Sequence, residues 1–330
     1  MEVAGRTCLV TGATGFLGSW VVERLLIQGA RVRCLVRSTS KLEFLDAKQL
    51  ELARGDVTDF TSVRAASGGA DFVFHLAGRI KAPRESDFYQ VNYLGTINVL
   101  EACLQAAPGV ERVVVVSSQA AVGPSEPGQP LDESMPYRPT SPYGRSKRQA
   151  ELAAESYHSR LPVTIVRPPS VYGPRDRETL QMIRLIALGL RPILSKRGAI
   201  SLVHAADLAD GILLAATQAS AIGKTYFLTG DESPSPSELV QLIARATERG
   251  GVSVPAPPSL LRLAGRAAEL VRDLTGLPMT FDRWKAEEII HGYWACTSAR
   301  AKADFGYSPK VPLATGLRDS VQWYRQAGWL

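Results

Sequence analysis

The sequence predicts an α/β fold, a doubly wound parallel Rossmann sheet followed by a smaller, mostly helical C-terminal substrate lobe. Short valine-rich runs alternate with longer stretches of helical period, as in repeated βαβ units. The runs are apolar almost throughout, so each expected strand must be covered on both faces. A glycine-rich string joins the first run to the first helix.

Strands are expected at 7–10, 31–36, 72–76, 113–116 and 163–166. Past residue 174 the pattern loosens into a helix near 179–188, a short return near 200–203, a helix from about Asp207 and a strand near 225–228. The rest is mostly helical, with a proline-rich connector at 255–258. This order assigns 1–174 and 199–230 to a dinucleotide-binding domain, and 175–198 and 231–330 to the lobe that selects the substrate.

With 330 residues, 45% apolar and 21% charged, the chain can bury a core without staples and lies far from disordered compositions. Thirty-eight basic against 32 acidic residues leave +6, with no long run of like charge, so nucleic acid is not an expected partner. Cys8, Cys34, Cys103 and Cys296 form no CxxC pair and read as buried, reduced thiols. No basic stretch followed by an apolar segment opens the chain, and a cytoplasmic location is expected. No apolar run reaches the ~20 residues of a membrane helix.

TGATGFLG, residues 11–18, lies at the turn between a strand and a helix. Glycines there let backbone approach a pyrophosphate, and the helix N-terminus offers oriented N–H donors. Gly12, Thr14, Gly15, Phe16, Leu17 and Gly18 are therefore the candidate phosphate-facing residues. The second strand ends in Arg37, Ser38 and Lys41, with no acid before Glu43. A 2′-phosphate would meet a cation there, whereas the ribose hydroxyls of NAD would find no carboxylate. NADP(H) is the expected cofactor and NAD(H) the alternative.

Tyr143 and Lys147 stand four apart behind Ser141 and Pro142, a helix cap and first turn that would set both on one face. A fixed cation one turn away can stabilise a phenolate. The fourth apparent strand ends in Ser117 and Ser118, whose hydroxyls would face the same crevice as the glycine turn.

Together with HLAG at 75–78, VNYLGTINVLEAC at 91–103, VVVVSSQAAVG at 113–123, SPYGRSK at 141–147 and VRPPSVYGP at 166–174, these strings resemble the extended short-chain dehydrogenase/reductase family. The likeness runs through about Gly230 and is nearest the dihydroflavonol reductase and 3β-hydroxysteroid dehydrogenase branches. It implies that Tyr143 is the acid/base, that Lys147 lowers its pKa and bonds the nicotinamide ribose, and that Ser118, five residues before Gly123, holds the substrate oxygen. Asn92 would support the proton path or contact the cofactor. Asp56 and Val57 would lie by the adenine, Ala77 and Gly78 by the ribose, and Pro168, Ser170 and Val171 by the nicotinamide. Pro169 departs from the glycine or aromatic residue common at its position.

The resemblance makes His75 and His204 structural, and with no second ligand at metal spacing no metal is expected. From Leu260 to Leu274 an apolar face alternates with Arg262, Arg266, Glu269 and Asp273, which reads as a core-packing helix, with a membrane-surface helix as the alternative. Trp284, Tyr293 and Trp294 read as core aromatics or as walls of an apolar pocket. The expected activity is hydride transfer between NADP(H) and a ketone or secondary alcohol of a bulky hydrophobic substrate. A nucleotide-sugar epimerase or dehydratase with tightly held NAD is the alternative, and a catalytically silent cofactor-binding protein the third class. The small-molecule substrate is the main expected partner, and a homodimer is an open one.

Overall fold

In the computed structural model, which describes residues 2–275 and 281–330, seven parallel strands form the central sheet. They are β1 (Thr7–Thr11), β2 (Arg31–Val36), β3 (Glu51–Arg54), β4 (Phe72–His75), β5 (Arg112–Val116), β6 (Val163–Arg167) and β7 (Thr225–Phe227). Their spatial order is β7-β6-β5-β4-β1-β2-β3. The order reverses between β1 and β4, which opens a crevice at the carboxyl ends of those strands.

β1, β4, β5 and β6 are buried residue by residue, and apolar clusters cover both faces of the sheet, as the non-alternating sequence predicts. One cluster includes Val10, Val21, Leu25 and Ile212; the other includes Leu9, Val63, Val99 and Ile165. β3 is the strand absent from the sequence reading, so the strand ending in Ser117 is the fifth and not the fourth. The proline-rich connector also resolves differently. Val252–Pro255 is a strand paired with Leu190–Ile193, and Pro258 already begins a helix.

The four cysteines are free and buried, and burial pushes each thiol up to about 12. No described helix is long and apolar enough to cross a membrane.

One expectation fails outright. The helix Pro258–Thr275 does not bury the apolar face of 260–274: Leu260, Ala264, Ala267, Val271 and Leu274 are exposed. Its buried residue is Gly265, where a Cβ would lie 2.9 Å from the Asp282 carbonyl oxygen, and this side packs on the helix Arg283–His291. Periodicity reports that a helix has an apolar face, not which face is covered. The Asp273 side chain and Gly276 lie outside the described residues.

Candidate active site

At the first crevice wall, Gly12 has φ +74°, and a Cβ on it would lie 2.6 Å from the Ala77 nitrogen. Only glycine permits that approach of the turn to the end of β4. A Cβ on Gly18 would lie 2.1 Å from the Gly12 carbonyl oxygen, so this glycine seats the helix Phe16–Ile27 on its own turn. Gly15 is different, since a Cβ there would meet only the Gly12 oxygen, at 3.2 Å. Gly15 caps the helix without a side chain, and no acid occupies the first turn. The N–H groups of that turn and the helix dipole suit a pyrophosphate at Thr14, Gly15, Phe16 and Leu17.

Arg37, Ser38 and Lys41 are exposed past the end of β2. Beside Arg37 stands Arg54, the last residue of β3, whose guanidinium donates to the Arg37 carbonyl oxygen at 3.3 Å. Sequence reasoning missed this second cation because it missed the strand that carries it. The two arginines make the adenine-ribose end of the crevice suited to a phosphate monoester. Asp56 accepts from the backbone N–H and the hydroxyl of Thr58, while Val57 is buried against Gly95.

A chain of hydrogen bonds braces the strand ends. Thr11 Oγ1 contacts His75 Nδ1 at 2.8 Å and receives the Ala77 N–H at 3.2 Å; His75 Nε2 contacts Thr96 Oγ1 at 3.0 Å, and Thr96 donates to the Asn92 carbonyl oxygen. Burial and the nearby Lys147 charge hold His75 down to about 3, so it is a neutral strut. Asn92 lies in a π-helical turn, Tyr89–Leu94, where a widened helix often marks a functional site. Its Oδ1 accepts from the Arg79 N–H at 2.7 Å, and its Nδ2 donates to the Arg79 carbonyl oxygen and to Ser146 Oγ. In this arrangement Asn92 fixes the Ala77–Gly78 turn against the helix that carries Tyr143 and Lys147.

That helix spans Pro142–Ser156. Ser141 caps it through a 3.0 Å bond from the Gly144 N–H, with proline in the first turn, as the sequence predicts. Gly144 had no assigned part. A Cβ on it would lie 2.3 Å from the Ala120 carbonyl oxygen, so glycine in the first turn lets the helix sit on the turn after β5. That turn carries Ser118, whose Oγ accepts the Ala120 N–H at 3.1 Å, so the helix bearing Tyr143 is seated beside the serine.

Burial pushes the Tyr143 phenol up to about 12; the Ser118 hydrogen bond opposes the rise, and Glu178 and Glu288 add to it. Lys147, held down to about 8 by burial against the pull of Glu151, donates to the Val116 carbonyl oxygen at 2.8 Å, and it is not among the groups that lower the phenol. Its Nζ and Asn92 Oδ1 flank Gly78, 3.4 and 3.3 Å from where a Cβ would stand. Ser117 Oγ and Gln119 Nε2, on either side of Ser118, are buried without a hydrogen-bond partner.

Pro168 lies behind the site, its carbonyl oxygen accepting the Gln119 N–H at 2.8 Å, while Ser170 is exposed and Val171 half-buried. Trp284 is half-buried on the helix Arg283–His291, with its ring 5.9 Å from the Arg145 guanidinium; Tyr293 and Trp294 form a short strand beside Ala199–Ile200. His204 caps the helix Ala205–Thr217, and no cluster of metal-ligating side chains is present among the described residues.

A glycine turn opening an uncapped helix, with a serine, tyrosine and lysine at the neighbouring strand end, defines a Rossmann enzyme that works with a nicotinamide dinucleotide. The chain belongs to the NAD dependent epimerase/dehydratase family, which matches residues 8–228, and it is an NAD(P)-dependent oxidoreductase of that family. It is 32% identical to a ceramide reductase of Caulobacter vibrioides over 97% of this chain and 95% of that protein. It is 31% identical to a dTDP-glucose 4,6-dehydratase of Streptomyces griseus over 96% and 94%. The crystal structure of gox2253 superposes with TM-score 0.82 at 31% identity, covering 99% of this chain and 100% of that one.

Ser118→Ala should lower turnover by about 10-fold or more, the scale of one lost hydrogen bond to a developing charge, and Ser117→Ala by less. Steady-state kinetics of the two variants checks this, because Ser118 and not Ser117 stands on the turn that seats the Tyr143 helix.

Proposed function

We propose that this protein is an NADP(H)-dependent oxidoreductase acting between a ketone and the secondary alcohol of a bulky, largely hydrophobic substrate, with 175–198 and 231–330 as the substrate side. The seating of the Tyr143–Lys147 helix on the Ser118 turn at the carboxyl end of β5, with Lys147 bonded to the Val116 carbonyl oxygen, carries this reading.

The residues present fit the cofactor. Gly12, Gly15 and the first turn after it would hold the pyrophosphate, Arg37 and Arg54 the 2′-phosphate, and Lys147 with Gly78 the nicotinamide-side ribose. When bound, the group supplies or receives the hydride. Ser118 would hold the substrate oxygen by donating its hydroxyl proton, and that bond strengthens as the oxygen becomes an alkoxide. Tyr143, protonated throughout the neutral range because of its burial, would give its proton to that oxygen. Lys147 keeps most of its charge at neutral pH and would serve the nicotinamide-side ribose rather than the phenol.

Ketone reduction is favoured over dehydration by Ser118-Gln119-Ala120, which offers no acidic pair beside the serine. Likeness to the ceramide reductase supports a hydrophobic substrate. A second reading, a nucleotide-sugar epimerase, has one observation in its favour. The ion pairs Lys81–Glu178 and Lys285–Glu288 place charge in the surroundings of Tyr143, which suits a polar substrate.

The cofactor separates the two. A charge-assisted bond to a phosphate contributes about 1.5–3 kcal/mol, so Arg37→Ala should weaken NADPH by roughly 10- to 150-fold and leave NADH nearly unchanged. Dissociation constants for both nucleotides at one ionic strength measure this. Wild-type protein that binds NADH as tightly as NADPH would favour the epimerase.

A further inference from the structure

Large exposed apolar side chains are unevenly spread over this molecule. Of the 16 among the described residues, eleven lie in 175–198 and 231–330, on the substrate side. Five of them stand on the helix Pro258–Thr275: Leu260, Leu263, Leu270, Val271 and Leu274, at spacings of three, four and seven that put them on one face. Leu263 is 66% exposed, Leu270 61% and Leu274 77%. Ala264 and Ala267 complete this outward stripe. The strand Val252–Pro255, which leads into the helix, adds Val252, and its partner strand adds Leu190 and Ile193.

The inner side of the helix is fixed. Gly265 lets it close on the start of Arg283–His291, and the pairs Arg262–Glu287 and Arg283–Glu269 join the two helices. The second helix lies against the catalytic helix, since the Trp284 ring stands 5.9 Å from the guanidinium of Arg145, two residues after Tyr143. The apolar stripe is thus the outer surface of a two-helix cap over the substrate side of the site.

The charge around the stripe selects its occupant. Residues 184–197 carry Arg184, Arg191, Lys196 and Arg197 with no acid; residues 245–275 carry Arg245, Arg249, Arg262, Arg266 and Arg272 with Glu248, Glu269 and Asp273, Arg262 being paired with Glu287. Nine cations to three acids, beside exposed leucines, complement an anionic lipid interface, where apolar side chains enter the acyl boundary and arginines stay with the headgroups. A second copy would bring like-charged rows together.

We propose that the outer face of Pro258–Thr275 docks this protein on an anionic bilayer surface, bringing the cap over Tyr143 to the lipid. The inference concerns the outer face alone and stands independently of the reaction assigned to the site.

The test is flotation of the full chain with phosphatidylcholine vesicles, with and without phosphatidylglycerol. Wild type should partition at least ~10-fold more strongly onto the anionic vesicles, and salt should weaken that partition. Leu263→Glu/Leu270→Glu, which alters two exposed side chains, should lower the partition at least ~30-fold with melting temperature and NADPH affinity unchanged. Three outcomes would overturn the proposal: no flotation of wild type, equal flotation of the variant, or light scattering showing a dimer that the double substitution dissolves while vesicle binding is absent.

Discussion

Tyr143→Phe is expected to lower turnover by at least ~100-fold, the usual scale for losing a positioned acid or base, while NADPH binding stays close to wild type. Burial keeps the phenol protonated in the neutral range, beside the Ser118 turn, so that it can hand a proton to the substrate oxygen. The ring of phenylalanine keeps the packing against Phe88, whose centroid lies 6.2 Å away, so the loss falls on proton transfer. Single-turnover reduction measured beside nucleotide titration distinguishes this from a binding defect. A variant with full turnover would remove Tyr143 from the chemistry.

The second large effect is on stability. Arg167, at the end of β6, donates from Nε and Nη2 to the two carboxylate oxygens of Glu151, both at 2.9 Å, and also bonds the Tyr137 hydroxyl. Arg167 and Glu151 are fully buried, and Glu151 lies one helical turn beyond Lys147. Removing one partner strands the other charge, so Arg167→Ala should destabilise the fold by about 3–5 kcal/mol. Denaturant unfolding measures this. Arg167→Met with Glu151→Leu should recover most of the loss, because an apolar pair of similar volume leaves no buried charge.

The catalytic residues were legible because their signals are local. Ser141, Pro142, Tyr143 and Lys147 lie within one helical start, and a cap and a four-residue spacing determine which side chains share a face. The valine-rich strands were equally plain, since burial on both faces leaves few polar positions to blur them. β3 was not. Its residues Glu51–Arg54 form a sheet edge that is only half-buried, so charge is tolerated there and the apolar signal fades, and Arg54 went unnoticed with it.

Gly144 and Arg175 mark a second limit, that of contacts between distant segments. Nothing near Gly144 in sequence announces the Ala120 carbonyl against which it packs. Arg175, at φ 77° in the turn after VYGP, reaches Glu23 at 2.8 Å and Ser19 at 3.2 Å, tying the lobe side to the cofactor helix. The helix Pro258–Thr275 marks a third. Its apolar period is unmistakable in the sequence, yet whether protein or solvent faces the stripe depends on tertiary packing that amphipathicity does not encode.

Net hydride transfer to a carbonyl carbon is the reaction expected of a site built from Ser118, Tyr143 and Lys147. The most direct measurement is mass spectrometry of the product formed from NADPH deuterated at the nicotinamide C4, with a panel of hydrophobic ketones and, in parallel, UDP-sugars. One deuterium is expected on the carbinol carbon of a released alcohol, with stoichiometric consumption of NADPH and none with Tyr143→Phe. Inverted sugar with no net consumption of nucleotide would contradict it.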